Sequence, residues 1–218
     1  MTEATERLIS SLVADLEPVR PLPRLRSALA SVLAVSGTIL GLALLGDEAQ
    51  PGVASILSDR IYLASFIGLL IAALAGSISA LASAVPGRER LELGGMRIAW
   101  LGLGSAAAVC LIGIGVLGLD ASASPAGLDA MCFRRAWLCL LLPAAAILGF
   151  LVRGWPANPL RAASIALLGS GAMGAAIVHA GCGFLAPKHL LISHLSVPIV
   201  LLLLGLYPLV VLLRRIRR

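Results

Sequence analysis

Six long stretches of this chain contain no Asp, Glu, Lys or Arg, and that gap decides its class. The stretches are Ser27–Gly46, Ile61–Val85, Ile98–Gly118, Ala136–Val152, Ala162–Ala180 and Leu190–Leu213, in a chain of 218 residues of which 59% are hydrophobic and 13% charged. Each is near the ~17–25 apolar residues that a helix needs to cross a hydrocarbon core about 30 Å thick. What lies outside them is short. The longest such stretch is the N-terminal 26 residues, too few for a soluble catalytic domain. An all-α polytopic membrane protein, a bundle of six transmembrane helices, is the expected fold.

Other absences narrow the function. Ion and proton carriers place ionisable groups near mid-membrane, where their cost implies a use. Here only His179 and His194 lie within the apolar stretches, and both are expected near the outer ends, where an imidazole reaches headgroup water. The chain has no G-x-S-x-G elbow, phosphate loop or H-E-x-x-H pair, so an enzyme is not expected. Its 4 cysteines form no C-x-x-C, which argues against a thiol-disulfide oxidase. No A-x-A site follows the first apolar stretch before Asp47, so that stretch is expected to stay as a span and not to be cleaved.

The basic residues orient the bundle. Of 17 Lys and Arg, 13 (Arg7, Arg20, Arg24, Arg26, Arg88, Arg90, Arg97, Arg153, Arg161, Arg214, Arg215, Arg217 and Arg218) fall on one side of the spans. The other 4 (Arg60, Arg134, Arg135 and Lys188) fall on the opposite side. Positively charged loops resist translocation, so both termini are expected in the cytoplasm. The net charge of +6 sits at span ends, where it anchors to lipid headgroups, and is not read as a nucleic-acid surface. Within the spans, Gly37-x-x-x-Gly41 and the small residues Gly169, Gly171, Gly174 and Ala175 are expected to let helices approach closely. Pro143, Pro198 and Pro208 are expected to kink theirs.

Two places carry a pattern beyond packing. In residues 1–26, Leu8, Ile9, Leu12, Val13 and Leu16 draw an apolar stripe along a helix expected over Thr5–Leu16, with Thr5, Glu6, Ser10, Ser11 and Asp15 on its other side. Glu17-Pro18-Val19-Arg20-Pro21-Leu22-Pro23 then stops the helix and makes a semi-rigid stalk. A helix this short folds only against something, either a membrane surface or a partner's groove. On the outer side of the 27–218 membrane region, Cys132 precedes the fourth span and Cys182 follows the fifth, so topology puts both on one face. Arg134, Arg135, Lys188 and His189 surround them in sequence, and cationic neighbours favour a reactive thiolate or a soft-metal site at Cys132, Cys182 and His189. The alternative is a plain structural disulfide. Cys110 and Cys139 are expected to be buried packing cysteines.

The run from Leu8 to Pro21, LISSLVADLEPVRP, resembles the N-terminal signature of the negative-regulator-of-sigma-F family of six-span bacterial membrane anti-sigma factors. Pro86-Gly87-Arg88 is similar to that family's first cytoplasmic loop, and the turn from Arg153 to Pro159 is also similar. Cys132 with Pro143, and Cys182 with His189 and His194, resemble its two cysteine blocks, although Gly183 stands where a proline is expected and Cys139 is a second candidate for the first cysteine. The resemblance implies an inner-membrane protein that sequesters an extracytoplasmic-function sigma factor through Leu8, Ile9, Leu12, Val13, Asp15 and Leu16. It implies release when a periplasmic sensor of Cys132, Cys182, His189 and His194 meets an oxidant or heavy metal. No resident cofactor is implied beyond transient metal binding at the outer cysteines, and the partners are the sigma factor and membrane lipid. The rival from another class is a small membrane transporter or metal-efflux protein.

The charge asymmetry generates a topology test. A reporter active only outside the membrane is expected to work when fused near Ala123 or Ala186, and to be silent at Gly94, Ala157 or the C-terminus. Activity from the Gly94 fusion would invert the orientation.

Overall fold

The computed structural model describes residues 3–14, 22–46, 58–118, 127–154 and 156–216. Asp15, Leu16 and stalk residues 17–21, together with Ala123, Arg217 and Arg218, lie outside the described residues. The chain is all-helical where described. A short α1 (Glu3–Ala14) precedes α2 (Leu25–Gly46), α3 (Arg60–Ser83), α4 (Glu89–Leu117), α5 (Leu128–Gly154) and α6 (Pro159–Gly181). The last helix, α7 (Pro187–Ile216), contains a π-helical turn at Leu190–Leu195. Helices α2 to α7 are each long and apolar enough to cross a membrane, and the protein is a multi-pass membrane protein. Six crossings put the two ends of the helical region on one face. The C-terminal ends of α2, α4 and α6 share the opposite face, called here the cysteine face.

The six expected spans all lie within these helices apart from a residue or two at their ends, but two helices are longer than the uncharged runs. Helix α4 starts nine residues before Ile98 and α5 eight before Ala136. Backbone hydrogen bonding continues wherever the chain can form it, so a helix outlasts its apolar stretch. The N-terminal end of α4, outside the uncharged runs, carries a buried charge. Glu92 is buried, and its carboxylate receives Arg161 Nε at 2.5 Å and a second guanidinium nitrogen at 3.4 Å. Ser79 of α3 donates to the Glu92 carbonyl at 2.5 Å. Arg161 belongs to the first turn of α6, which Asn158 caps by accepting the Arg161 N–H at 3.0 Å with Pro159 at the following position. Three helices are thus tied together on the face that carries the chain ends.

Helix α6 is the centre of the bundle. It is buried without interruption from Ile165 to Ala180 and packs on α3, α5 and α7, with α2 at the periphery. The reason is its run of small residues. A methyl group added at Gly169 would meet the backbone carbon of Gly76 at 2.8 Å, one added at Gly171 would meet Pro198 Cα at 2.6 Å, and one at Gly174 would meet the Ala136 carbonyl oxygen at 2.5 Å. Each neighbour therefore lies backbone to backbone on α6, the packing that lipid-solvated helices use in place of a hydrophobic drive. The expectation for the first span is corrected: Gly37 and Gly41 have nothing within 4 Å of an added methyl, because α2 turns that side away from the bundle. Pro143 and Pro208 lie inside continuous α-helix, while Pro198 stands just beyond the π turn. Proline cannot donate to, and crowds, the carbonyl four residues before it, here that of His194 at the end of the wider turn.

The two kinds of glycine are expected to respond with opposite sign. Gly174→Ala forces the Ala136 backbone away and is expected to cost about 1–3 kcal/mol, as overpacking does. Gly37→Ala fills open space and removes backbone freedom, so it is expected to be neutral or to gain up to about 1 kcal/mol. Thermal unfolding midpoints of the two variants in the same detergent check this.

Candidate functional site

Three helices and one loop deliver the side chains on the cysteine face. Cys132 lies in the second turn of α5, and Asp129 is three residues before it on the same side of the helix. Cys182 is the residue that ends α6, its N–H bonded to the His179 carbonyl at 3.2 Å. His189 and His194 come from the start of α7. In a regular helix at 100° per residue, positions five apart point about 140° from one another and do not share a face. The π turn between them closes on the fifth residue, and it brings the two imidazoles to 5.2 Å between ring centres.

The result is a compact cluster. One donor atom from each of Cys132, Cys182, His189 and His194 lies within 4.8 Å of the others, and all four residues are buried. His189 Nε2 is 3.4 Å from Cys182 Sγ. On the far side of the same ring, Nδ1 is 2.6 Å from Asp129 Oδ1, and Ser193 Oγ donates to that carboxylate oxygen at 2.9 Å. A carboxylate accepts only, so the proton of neutral His189 sits on Nδ1 and the lone pair of Nε2 faces the sulfur. His194 contributes a ring whose two nitrogens have no hydrogen bond of acceptable geometry. Cys182 lies outside the spans, and its thiol is held below the ordinary range by hydrogen bonding with the Cys132 thiol, against the opposing effect of burial and with help from His189 and His194. The four cysteines are free.

A second layer holds this cluster. Tyr62 of α3 is fully buried, and its hydroxyl donates between the carbonyls of His179 and Cys182 at the C-terminal end of α6. His179 stacks on Tyr62 with centroids 4.2 Å apart and meets the His194 ring edge-on at 5.1 Å. Its Nε2 is 3.2 Å from the Tyr62 carbonyl. The expectation that His179 and His194 reach headgroup water is corrected: both are fully buried. Tyr62 and Phe66 of α3 lie against His179, and His189 against His194, where the sequence suggested an interface. Cys110 is buried as expected, and Cys139 is half-buried and packs against the core.

The structure thus brings together Cys132, Cys182, His189 and His194 from the expected set. Asp129, Ser193, Tyr62 and His179 were not singled out as parts of the site. Asp129 at three residues before Cys132 was the one legible signal, since both must face the same way on a helix. The cationic neighbours are less intimate than their spacing suggests, for Arg134 and Arg135 are exposed.

At the other end of the sequence, α1 has no buried residue. Leu8 and Leu12 are each 60% exposed, with Ile9 and Val13 beside them, and Arg7 pairs with Glu3 at 2.8 Å on the polar side. These four form the described part of the expected stripe. Comparison of the chain with family models, curated proteins and solved structures found no match.

Proposed function

We propose that this chain is a membrane-bound anti-sigma factor of the bacterial inner membrane, with both termini in the cytoplasm. In this reading it sequesters an extracytoplasmic-function sigma factor and releases it when Cys132 and Cys182 meet an oxidant or a heavy metal at the outer face. One observation carries the reading: the molecule has a buried cluster of thiols and imidazoles at one face and, at its N-terminus, a helix whose apolar stripe is exposed, joined by a bundle whose centre is apolar. A cluster that reacts and a helix that binds are the two parts a signalling protein needs. The N-terminal signature and the Cys-His spacing described above support the identity of the partner.

The binding step follows from α1. Its 12 residues are too few to be stable alone in water, so the energy that orders it comes from the surface on which Leu8, Ile9, Leu12 and Val13 are buried. A groove of a partner protein fits an apolar stripe flanked by acid and serine. An anionic lipid surface would call for a basic polar face, whereas the polar side here carries Glu3 and Glu6 against the single Arg7. The sensing step follows from the cluster. Cys132 and Cys182 are near enough to be bridged by one event, and a bridge between them changes how the start of α5 meets the end of α6.

Two outcomes test the reading. Leu12→Asp puts a charge into an apolar contact and is expected to weaken retention of the sigma factor by tenfold or more, since such burial costs several kcal/mol and about 1.4 kcal/mol is tenfold. Co-purification from membranes measures it, and retention by a correctly inserted variant would exclude docking through α1. Cys132→Ser combined with Cys182→Ser is expected to abolish the transcriptional response to oxidant or metal, leaving the target genes either locked off or constitutively on. Cys110→Ser is expected to respond as wild type. A wild-type response from the double variant would remove the sensor role.

A further inference from the structure

The geometry points to a resident metal site: we propose that the resting protein holds one Zn2+ through Cys132 Sγ, Cys182 Sγ, His189 Nε2 and a ring nitrogen of His194. This deepens the reading of the cluster as a sensor and rests on that reading for its purpose, but it needs no particular partner.

Four donors of this kind are a complete tetrahedral zinc set, and structural zinc sites close with two thiolates and two imidazoles. Bond lengths of about 2.3 Å to sulfur and about 2.0–2.1 Å to nitrogen make the S···N edge of such a tetrahedron about 3.5 Å. The Cys182 Sγ to His189 Nε2 separation is 3.4 Å. All four donors already lie within 4.8 Å of one another, so an ion needs only a small inward movement. The outer layer is built as well. Asp129 and Ser193 hold the Nδ1 side of His189, which fixes the tautomer that offers Nε2, the carboxylate–histidine arrangement found behind most metal-bound imidazoles.

His194 supplies the independent observation. It is fully buried, yet among the described residues neither ring nitrogen makes a hydrogen bond of acceptable geometry. Burying an imidazole in this way is costly unless something accepts its lone pair. Its position next to two sulfurs and a preset Nε2 names what does. The π turn has the same explanation: without it His189 and His194 would not face one ion. Binding is balanced by proton release. Zn2+ displaces one proton from each thiol to solvent and takes two thiolate and two imidazole lone pairs, so ion and ligands together are neutral. Neutrality suits a centre at the margin of a hydrocarbon phase, where a net charge is expensive.

The full-length protein, purified in detergent without added metal or chelator under anaerobic conditions, is expected to carry about one zinc per chain by elemental analysis. After stripping, titration with Co2+ alone is expected to give the intense visible bands of tetrahedral cobalt and a thiolate-to-metal charge-transfer band. Cys132→Ser, Cys182→Ser and His194→Ala are each expected to lose at least about 100-fold in affinity, and Asp129→Asn about 10–100-fold, as loss of an outer-layer partner does. Cys110→Ser and Cys139→Ser are expected to bind as wild type. Should a ligand variant fail to fold, His194→Cys keeps a fourth donor and is expected to bind Co2+ with a stronger charge-transfer band. The proposal is overturned if the wild type neither carries zinc nor takes up Co2+, if Cys132→Ser and His194→Ala bind as wild type, or if Cys132 and Cys182 are found joined as a disulfide in the anaerobic protein. Gene-expression responses are not used here, so a metal-free protein whose Cys variants still lose their response would leave the regulator reading standing. A zinc protein that retains no sigma factor would do the reverse.

Discussion

The contact of α6 with its neighbours, backbone against backbone, is the constraint from which the rest of the molecule follows. In lipid, helices gain nothing from hiding leucine, so what seats them is close van der Waals contact at small residues. The seats on α6 also set the site. Gly174 receives α5 at Ala136, four residues after Cys132, and Gly171 receives α7 at Pro198, four residues after His194. One helical turn separates each seat from the ligand it positions. Cys182 follows the end of α6 itself. Three of the four donors are therefore placed by one helix, and the spacing of its glycines fixes the height at which the neighbouring donors meet.

The same solvent explains why the buried polar groups cluster. Without water, every donor and acceptor needs a partner inside the protein, and partners are cheapest to supply in one place. On the cysteine face, Tyr62 closes the carbonyls at the end of α6 while Asp129 and Ser193 close His189. On the opposite face, Glu92 and Arg161 close one another. Helix α6 runs from Arg161 to Cys182, so one continuous element ends in both polar assemblies.

The spans were legible in the sequence because hydropathy over ~20 residues is a property of the chain itself. The shared face of Cys132 and Cys182 was legible for a related reason, since an even number of crossings separates them in the chain order. What failed were the readings that depend on a partner. Gly37-x-x-x-Gly41 is a packing pattern only if another helix lies against it, and none of the described residues comes within 4 Å of the added methyl there. The buried Glu92 was not legible because its partner, Arg161, stands 69 residues away. His194 was placed at headgroup water because it lies near the outer end of its apolar stretch, and the π turn that brings it beside His189 inside the bundle has no signature in hydropathy. Asp15 and Leu16 of the expected binding stripe lie outside the described residues.

The seats on α6 also say which parts can move if the sensor works as proposed. A sulfur–sulfur bond draws Cys132 and Cys182 closer than a shared metal ion holds them, so passing from one to the other requires displacement of at least one cysteine. Helix α5 has little freedom to supply it, because an atom the size of a methyl already has no room between Gly174 and Ala136. Cys182 begins an irregular segment, residues 182–186, and irregular backbone absorbs changes that a packed helix cannot. That segment leads into Pro187, His189 and the π turn of α7. Movement at the cysteines is thereby directed into α7, whose other end carries Arg214 and Arg215 on the face shared with the N-terminal region. The packing that builds the site thus holds α5 at Gly174 and α7 at Gly171, and leaves residues 182–186 and the π turn between those seats as the part that can yield.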